Sequence, residues 1–271
     1  MKKKTMMKYT QIMNIEIKPP TFHYLQDLCK AHLHTFAFEN ISKLYSIQKG
    51  ERWIPSAEHF IENYLNYQFG GTCFTLNSTF MQLLTELGFD CSLVKLGQTH
   101  LAIIVQLDHQ AYYVDVGSTA PIFEPINLDL EANTERRFGK EKMEITKSGN
   151  QFEYIRWVNG QNRDMQWTFT MNEEIELEHF KPIYEKSIQP GTPFMKILRC
   201  QLWQTDQGRS LSLLNNLFTI RYPDGGDTNV TLSTVYDIKQ VLETEFRLGK
   251  LPVREAVEEL ERLGIDVFEK A

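Results

Sequence analysis

The apolar residues of this chain change their period at Gly88, and that change limits the folds open to it. From Pro19-Pro20 to about Leu87 they recur at helical spacing. Thr21 offers an N-cap ahead of Phe22, Leu25, Leu28 and Cys29, and Ser56 a second ahead of Phe60, Ile61 and Leu65. A third helix is expected from about Cys73 through Phe80, Leu83, Leu84 and Leu87, with Gly88 ending it. Beyond Gly88 the pattern turns to short β-prone runs at Cys91–Gly97, His100–Leu107, Ala111–Val116, Phe152–Val158 and Gln166–Met171. Asn159-Gly160 supplies a turn between the last two. This middle region reads as a small antiparallel barrel or sandwich. A bridge from Glu173 to about Lys186, broken by Pro182, leads to the turn-rich segment 189–193. Strands at Ile197–Trp203 and Leu217–Tyr222 and helices at Thr234–Phe246 and Val253–Leu263 complete the order.

Bulk properties exclude several classes. The chain has 271 residues and a net charge of −6, against the basic face that broad nucleic-acid binding requires. Its four cysteines, Cys29, Cys73, Cys91 and Cys200, show no CxxC and no Cys/His spacing for zinc, so no metal is expected. Lys2, Lys3 and Lys4 resemble the start of a signal peptide, but Lys8, Thr10, Gln11 and Asn14 interrupt the apolar stretch that should follow. No run approaches the length of a membrane span. The expectation is a cytoplasmic protein with reduced thiols and no membrane partner.

The chemistry concentrates in Phe69-Gly70-Gly71-Thr72-Cys73-Phe74-Thr75-Leu76-Asn77. Two glycines permit a turn and close backbone approach. They deliver the cysteine to a helix start, where unpaired N–H groups and the helix dipole favour the thiolate. On its own such a cysteine is more often a small core residue. His100 opens a β-prone run as a natural base, and Asp115 is a lone carboxylate in the apolar run Tyr112–Val116. A buried Asp needs a partner. A hairpin joining these runs would let Asp115 accept from one ring nitrogen of His100 while the other faces Cys73. His109 and Cys91 are read as a turn residue and a strand filler.

These residues in this order resemble the arylamine N-acetyltransferase family over nearly the whole chain. The family pattern Arg-Gly-Gly-x-Cys-x-Glu-x-Asn is matched at Gly70, Gly71, Cys73 and Asn77. Its His-x-x-Leu-x-Val run and Asp-Val-Gly triplet resemble His100–Val105 and Asp115–Gly117, and its Phe-Glu-Asn is Phe38-Glu39-Asn40. Its Pro-rich turn, Phe and Cys-Gln strand resemble Pro190–Phe194 and Cys200-Gln201. The resemblance implies an α+β fold in three parts with a cysteine-protease-like core. A helical bundle with the nucleophile spans 1–89, a central antiparallel β-barrel with the histidine and aspartate 90–188, and an α/β lid 189–271. It further implies acetyl transfer from acetyl-CoA, as co-substrate, to arylamines or arylhydrazines, by a ping-pong route through an acetyl-cysteine. Cys73, His100 and Asp115 are then catalytic, Phe38 faces the aryl ring, and Gly97, Gly191 and Thr192 lie near CoA.

Three departures stand out. Phe69 replaces the family's Arg, Thr75 its Glu, and Ser118-Thr119 its Phe-Gly. Glu39 therefore needs a partner other than that Arg, and substrate preference is open. Competing readings are a related acyltransferase or amide synthase with another acyl donor, a cysteine hydrolase sharing the residue order, and a homologue that binds CoA or aromatics without turnover.

Overall fold

The computed structural model describes residues 1–131, 133–171 and 175–269. Five helices come first: α1 (Lys3–Ile12), α2 (Phe22–Thr35), α3 (Ile41–Gln48), α4 (Ala57–Tyr67) and α5 (Cys73–Glu86), with the two-residue strand β1 (Phe38–Glu39) between α2 and α3. The expected caps operate: the Thr21 hydroxyl accepts from Tyr24 N and the Ser56 hydroxyl from His59 N. α1, where the sequence suggested a leader-like start, instead buries Tyr9, whose hydroxyl bonds His32 Nε2 at 3.0 Å. Among the described residues no helix is long and apolar enough to cross a membrane.

Next come β2 (Asp90–Leu96), β3 (His100–Leu107), β4 (Gln110–Val114) and β5 (Ile126–Asn127), forming one four-stranded sheet in that order. β6 (Asn133–Phe138), β7 (Glu141–Ser148), β8 (Gln151–Val158) and β9 (Gln161–Thr170) form a second. Both are antiparallel meanders. The expected central barrel is not there. No closed barrel occurs among the described residues; two open sheets share an apolar layer. Val94, Leu96, Ala102, Ile104 and Tyr113 from the first meet Met143, Ile145, Phe152, Tyr154 and Phe169 from the second. The physical reason lies at Asn127, whose Oδ1 accepts from Asp129 N and Leu130 N. That turn takes the chain out of the first sheet after two paired residues, so no ladder continues into β6.

The first sheet is buried on both faces. Its other side, Leu93, Leu101, Ile103, Val105, Tyr112 and Val114, packs on the helices. This explains why β3 is a near-continuous apolar run without alternation, whereas β7 and β8 alternate as one-faced strands.

The first residues of the expected bridge, Glu173 and Glu174, lie outside the described residues. A 3-10 turn, Leu177–Phe180, and α6 (Lys181–Ser187), with Pro182 near its start, form the remainder. The C-terminal part holds β10 (Arg199–Gln204), β11 (Arg209–Leu214), β12 (Leu217–Arg221), β13 (Asp227–Thr231), α7 (Val235–Thr244) and α8 (Val253–Arg262). Their sheet runs β1-β10-β11-β12-β13, so its edge strand comes from residues 38–39. Ile41, Leu44 and Phe69 likewise sit in the C-terminal core with Leu213, Ile238 and Leu260. Residues of the expected 1–89 part thus pack with the 189–271 part, whose last residues, 270 and 271, lie outside the described ones.

Where the three sheets meet, Arg156 is buried against Glu141 and donates to Thr119 O at 2.8 Å, and Arg221 lies 3.6 Å from the same glutamate. Gln201 Nε2 also donates to Thr119 O, at 3.0 Å. Glu141 thus neutralises charge at a junction the chain must close over. Glu141→Ala leaves Arg156 buried without a counter-ion and is expected to cost about 3–5 kcal/mol of stability. Urea unfolding measures this, and a loss under about 1 kcal/mol would show that the junction does not depend on the pair.

Candidate functional site

Cys73 is the first residue of α5, and Thr75 N and Leu76 N already turn back onto Thr72 O. The N–H groups of this first turn are those an α-helix leaves unpaired. Gly70 N donates to Glu39 Oε1 at 3.0 Å and Gly71 O accepts from Glu39 N, so the glycine pair is laced to β1. His100 opens β3 and Asp115 follows β4; their pairing, with Ile103 opposite Val114, brings both to the same end of the sheet. Gly117 lets that end close on the helix: a β-carbon there would sit 2.7 Å from Cys73 Cα.

Asp115 is 2 % exposed and fully engaged. Oδ2 accepts from His100 Nε2 at 2.7 Å and from the Tyr113 hydroxyl at 3.0 Å. Oδ1 accepts from Asn77 Nδ2 at 2.8 Å and Gly117 N at 3.1 Å. Asn77 in turn donates to Leu101 O and accepts from Val116 N and Gly117 N. One turn into α5, it ties the helix that starts at Cys73 to the segment that carries Asp115. Burial works against a charged His100, but the Asp115 carboxylate, which the ring hydrogen-bonds, and the neighbouring Cys73 outweigh it and raise its pKa to about 10. The buried His32 shows the opposite case: with no anion beside it, burial alone lowers it to about 3. Cys73 Sγ lies 3.9 Å from Thr99 O.

The sequence missed Tyr113 and Trp167. The indole of Trp167 stacks on His100 with centroids 5.0 Å apart and planes 8° apart, fixing the ring from the second sheet. A lone Trp in an alternating strand carries no sequence signal for this; only the packing of two sheets reveals it. Gly97 is part of the same feature, since a β-carbon there would meet Trp167 at 2.6 Å, and its N–H reaches Thr168 O at 3.4 Å.

Of the other expected contacts, Phe38 lies in β1 with its ring 5.4 Å from that of Phe194. Gly191 is exposed in the 189–193 turn, beside Lys196. Thr192 spends its hydroxyl on Ser187 O and Gln189 O within that turn. These three do not converge on Gly97. Among the described residues no cluster of three or more His, Cys, Asp or Glu side chains is arranged for a metal ion.

The departures have local answers. Phe69 stacks on Tyr67 at 5.0 Å and packs on Tyr45, an aromatic trio in the position of a charge. Glu39 takes backbone partners instead of an arginine, Gly70 N and Ser42 N, the latter at 2.8 Å. Burial raises its pKa to about 6 even so, because those hydrogen bonds only partly replace lost hydration.

Three outcomes follow from this geometry. Nitrogen NMR should find His100 doubly protonated at pH 7, losing a proton only as the pH nears about 10, while His32 stays neutral; a neutral His100 at pH 7 would contradict the pairing. The pair's stabilisation is complete below about pH 6.5, the unshifted value, and is lost as pH rises through the folded one. Asn77→Ala orphans the Val116 N–H and removes one Asp115 contact, and should lower stability by about 1–3 kcal/mol in denaturant unfolding; a neutral effect would show that Asn77 is dispensable to the Asp. Iodoacetamide at neutral pH should modify Cys73 first, because burial raises the Cys91 thiol to about 12 and the Cys29 and Cys200 thiols further. Peptide mapping that finds Cys29 or Cys200 labelled first would refute this order.

A family profile described as N-acetyltransferase matches residues 21–252. An arylamine N-acetyltransferase / N-hydroxyarylamine O-acetyltransferase of Salmonella typhimurium is 24% identical over 261 residues, covering 91% of this chain and 89% of the relative. The solved arylamine N-acetyltransferase of Salmonella typhimurium superposes with a TM-score of 0.79 at 20% identity, over 95% of this chain and 98% of that one. The Mycobacterium marinum arylamine N-acetyltransferase in complex with CoA gives 0.77 at 20% identity, over 95% and 99%. The profile's span over most of the chain, on a mixed α+β fold shared with these structures, establishes that this chain belongs to the arylamine N-acetyltransferase family.

Proposed function

We propose that the protein transfers an acetyl group from acetyl-CoA to the nitrogen of an arylamine or arylhydrazine through an acetyl-cysteine on Cys73. The observation that carries this reading is the 2.7 Å hydrogen bond from His100 to the buried Asp115, with Cys73 near enough at the first turn of α5 to act on the same imidazole. An imidazolium held beside the cysteine keeps the sulfur a thiolate, the nucleophilic form. Cys73 Sγ attacks the thioester carbonyl, the carbonyl carbon forms a bond to Sγ, and the CoA sulfur leaves with its electron pair, protonated by His100. In the second half the neutral amine attacks the acetyl carbon, His100 takes the amine proton, and Sγ departs as thiolate. Asp115 holds Nε2, which leaves Nδ1 to serve the sulfur throughout. The oxyanion needs donors about 3 Å away, and the N–H groups at the start of α5 are the candidates.

Phe38 and Phe194 offer aromatic surface to the acceptor. Acetyl-CoA is a substrate here. The exposed Gly191 turn, with the side chain of Lys196 beside it, offers its phosphates a cation and close backbone approach. Thr192 supports that turn from within. Gly97 serves by admitting Trp167 against His100. Support from relatives is twofold: two bear the arylamine N-acetyltransferase name, and one was solved with CoA.

Intact-mass spectrometry on the chain with acetyl-CoA tests the reading directly. One acetyl adduct should form and map to Cys73, Cys73→Ala should form none, and addition of an arylamine should discharge it. An adduct that persists in Cys73→Ala would overturn the mechanism.

A further inference from the structure

A cavity of about 150 Å³ opens beside the first turn of α5, lined by Lys43, Trp53, Gly70, Thr72, Thr75 and Tyr184 among others. Gly70, Thr72 and Thr75 bracket the nucleophile on both sides. Phe69 and Thr75, the neutral residues at the two positions where the family pattern carries Arg and Glu, both line it. Among the described residues the only lysine or arginine lining it is Lys43, which reaches in from α3. Lys43 is 6% exposed. Its ammonium donates once, to Ser187 Oγ at 3.2 Å, and lies over the rings of Tyr184 at 5.4 Å and Phe194 at 5.7 Å.

An ammonium has three donors and costs much to bury without an anion. Aromatic faces return only part of that cost. Among the described residues no carboxylate pairs with Lys43, although Glu39 opens the turn before α3 and Glu51 stands at the cavity rim. Glu39 is committed to two backbone N–H groups, and Glu51 is exposed to water. The cavity is of the volume that admits a benzene ring, and its walls, Trp53, Phe60, Phe69 and Tyr184, are aromatic. Phe194, under the Lys43 charge, packs in turn on Phe38, so one wall runs from the ammonium to the proposed aryl site.

Resting on the acyl-transfer reading, we propose that Lys43 is a specificity residue that receives a carboxylate carried by one of the two substrates, the acyl group or the aromatic amine. A carboxylate there replaces the missing counter-ion and fills donors that one serine leaves open. Burial holds the ammonium down to about 8 against the pull of Cys73 and Glu39, with Tyr184, His59 and Glu51 the other titratable groups on the cavity. The preference therefore fades as pH rises past that value.

Two arms of one experiment, on the full chain, separate the sources of the carboxylate. In the first, succinyl-CoA competes with butyryl-CoA and intact mass reads the ratio of adducts on Cys73. In the second, kcat/KM is compared for 4-aminobenzoate and 4-aminobenzamide with acetyl-CoA as donor. Charge-assisted hydrogen bonding predicts a preference of about tenfold or more for the charged member in one arm. Lys43→Met should abolish that preference and Lys43→Arg retain it. Calorimetry with benzoate against benzamide, and succinate against butyramide, reads the same preference without turnover. No preference in either arm and in calorimetry, or a preference that survives Lys43→Met, overturns the proposal. Absence of any acyl adduct, with carboxylate binding still dependent on Lys43, would count against the acyl-transfer reading alone.

Discussion

An ionised carboxylate taken out of water costs several kcal/mol unless donors replace its hydration, and Asp115 is held 2 % exposed between a helix and two sheets. Each of its four donors comes from a place the fold must bring to it. Asn77 arrives on α5, His100 on β3, the Tyr113 hydroxyl from β4, and Gly117 N from the chain just beyond. The same four contacts determine how α5 lies on the first sheet. Cys73, the proposed nucleophile, is placed as a by-product, because it is one turn ahead of Asn77 on that helix. Satisfying the buried anion and assembling the site are one event.

The second sheet gains its purpose from this arrangement. Its strands do not touch the carboxylate, yet Trp167 lies flat on His100, and Arg156 anchors Thr119 two residues past Gly117. The C-terminal sheet reaches the same loop through Gln201 and borrows β1 as its edge strand. Three sheets therefore converge on the segment after Asp115, where this chain carries Ser118-Thr119 in place of the family's Phe-Gly. The loss of an aromatic ring there coincides with polar contacts that tie the loop to its neighbours, and the Ser118 hydroxyl accepts from Ala120 N.

The exchange at Phe69 and Thr75 follows similar logic. Removing both charges avoids an unpaired buried ion, which is the expensive outcome. The space is taken partly by stacked Tyr67 and Phe69 and partly by a cavity, and a lysine from a different helix brings charge back from another direction. Glu39, the one member retained, survives because two backbone N–H groups hold it.

Much of this was legible in the sequence because it depends on local pattern and residue type. Period and caps placed α2, α4 and α5, the switch at Gly88 marked the start of strands, and a cysteine, a histidine and a lone aspartate in that order named the three residues the fold brings together. What the sequence did not decide is which sheets form and what covers the site. Two open sheets and a closed barrel share the same alternating pattern, and the difference rests on an Asn127 turn whose effect is felt only in pairing. Likewise Trp167 over His100, Tyr113 on Asp115 and Lys43 in one cavity with Thr75 join residues 67, 2 and 32 positions apart in ways that periodicity does not encode. The chain's own pattern determined the elements and the reactive residue types. Tertiary packing decided their partners, because burial and hydrogen-bond satisfaction are properties of the assembled interior, not of any segment within it.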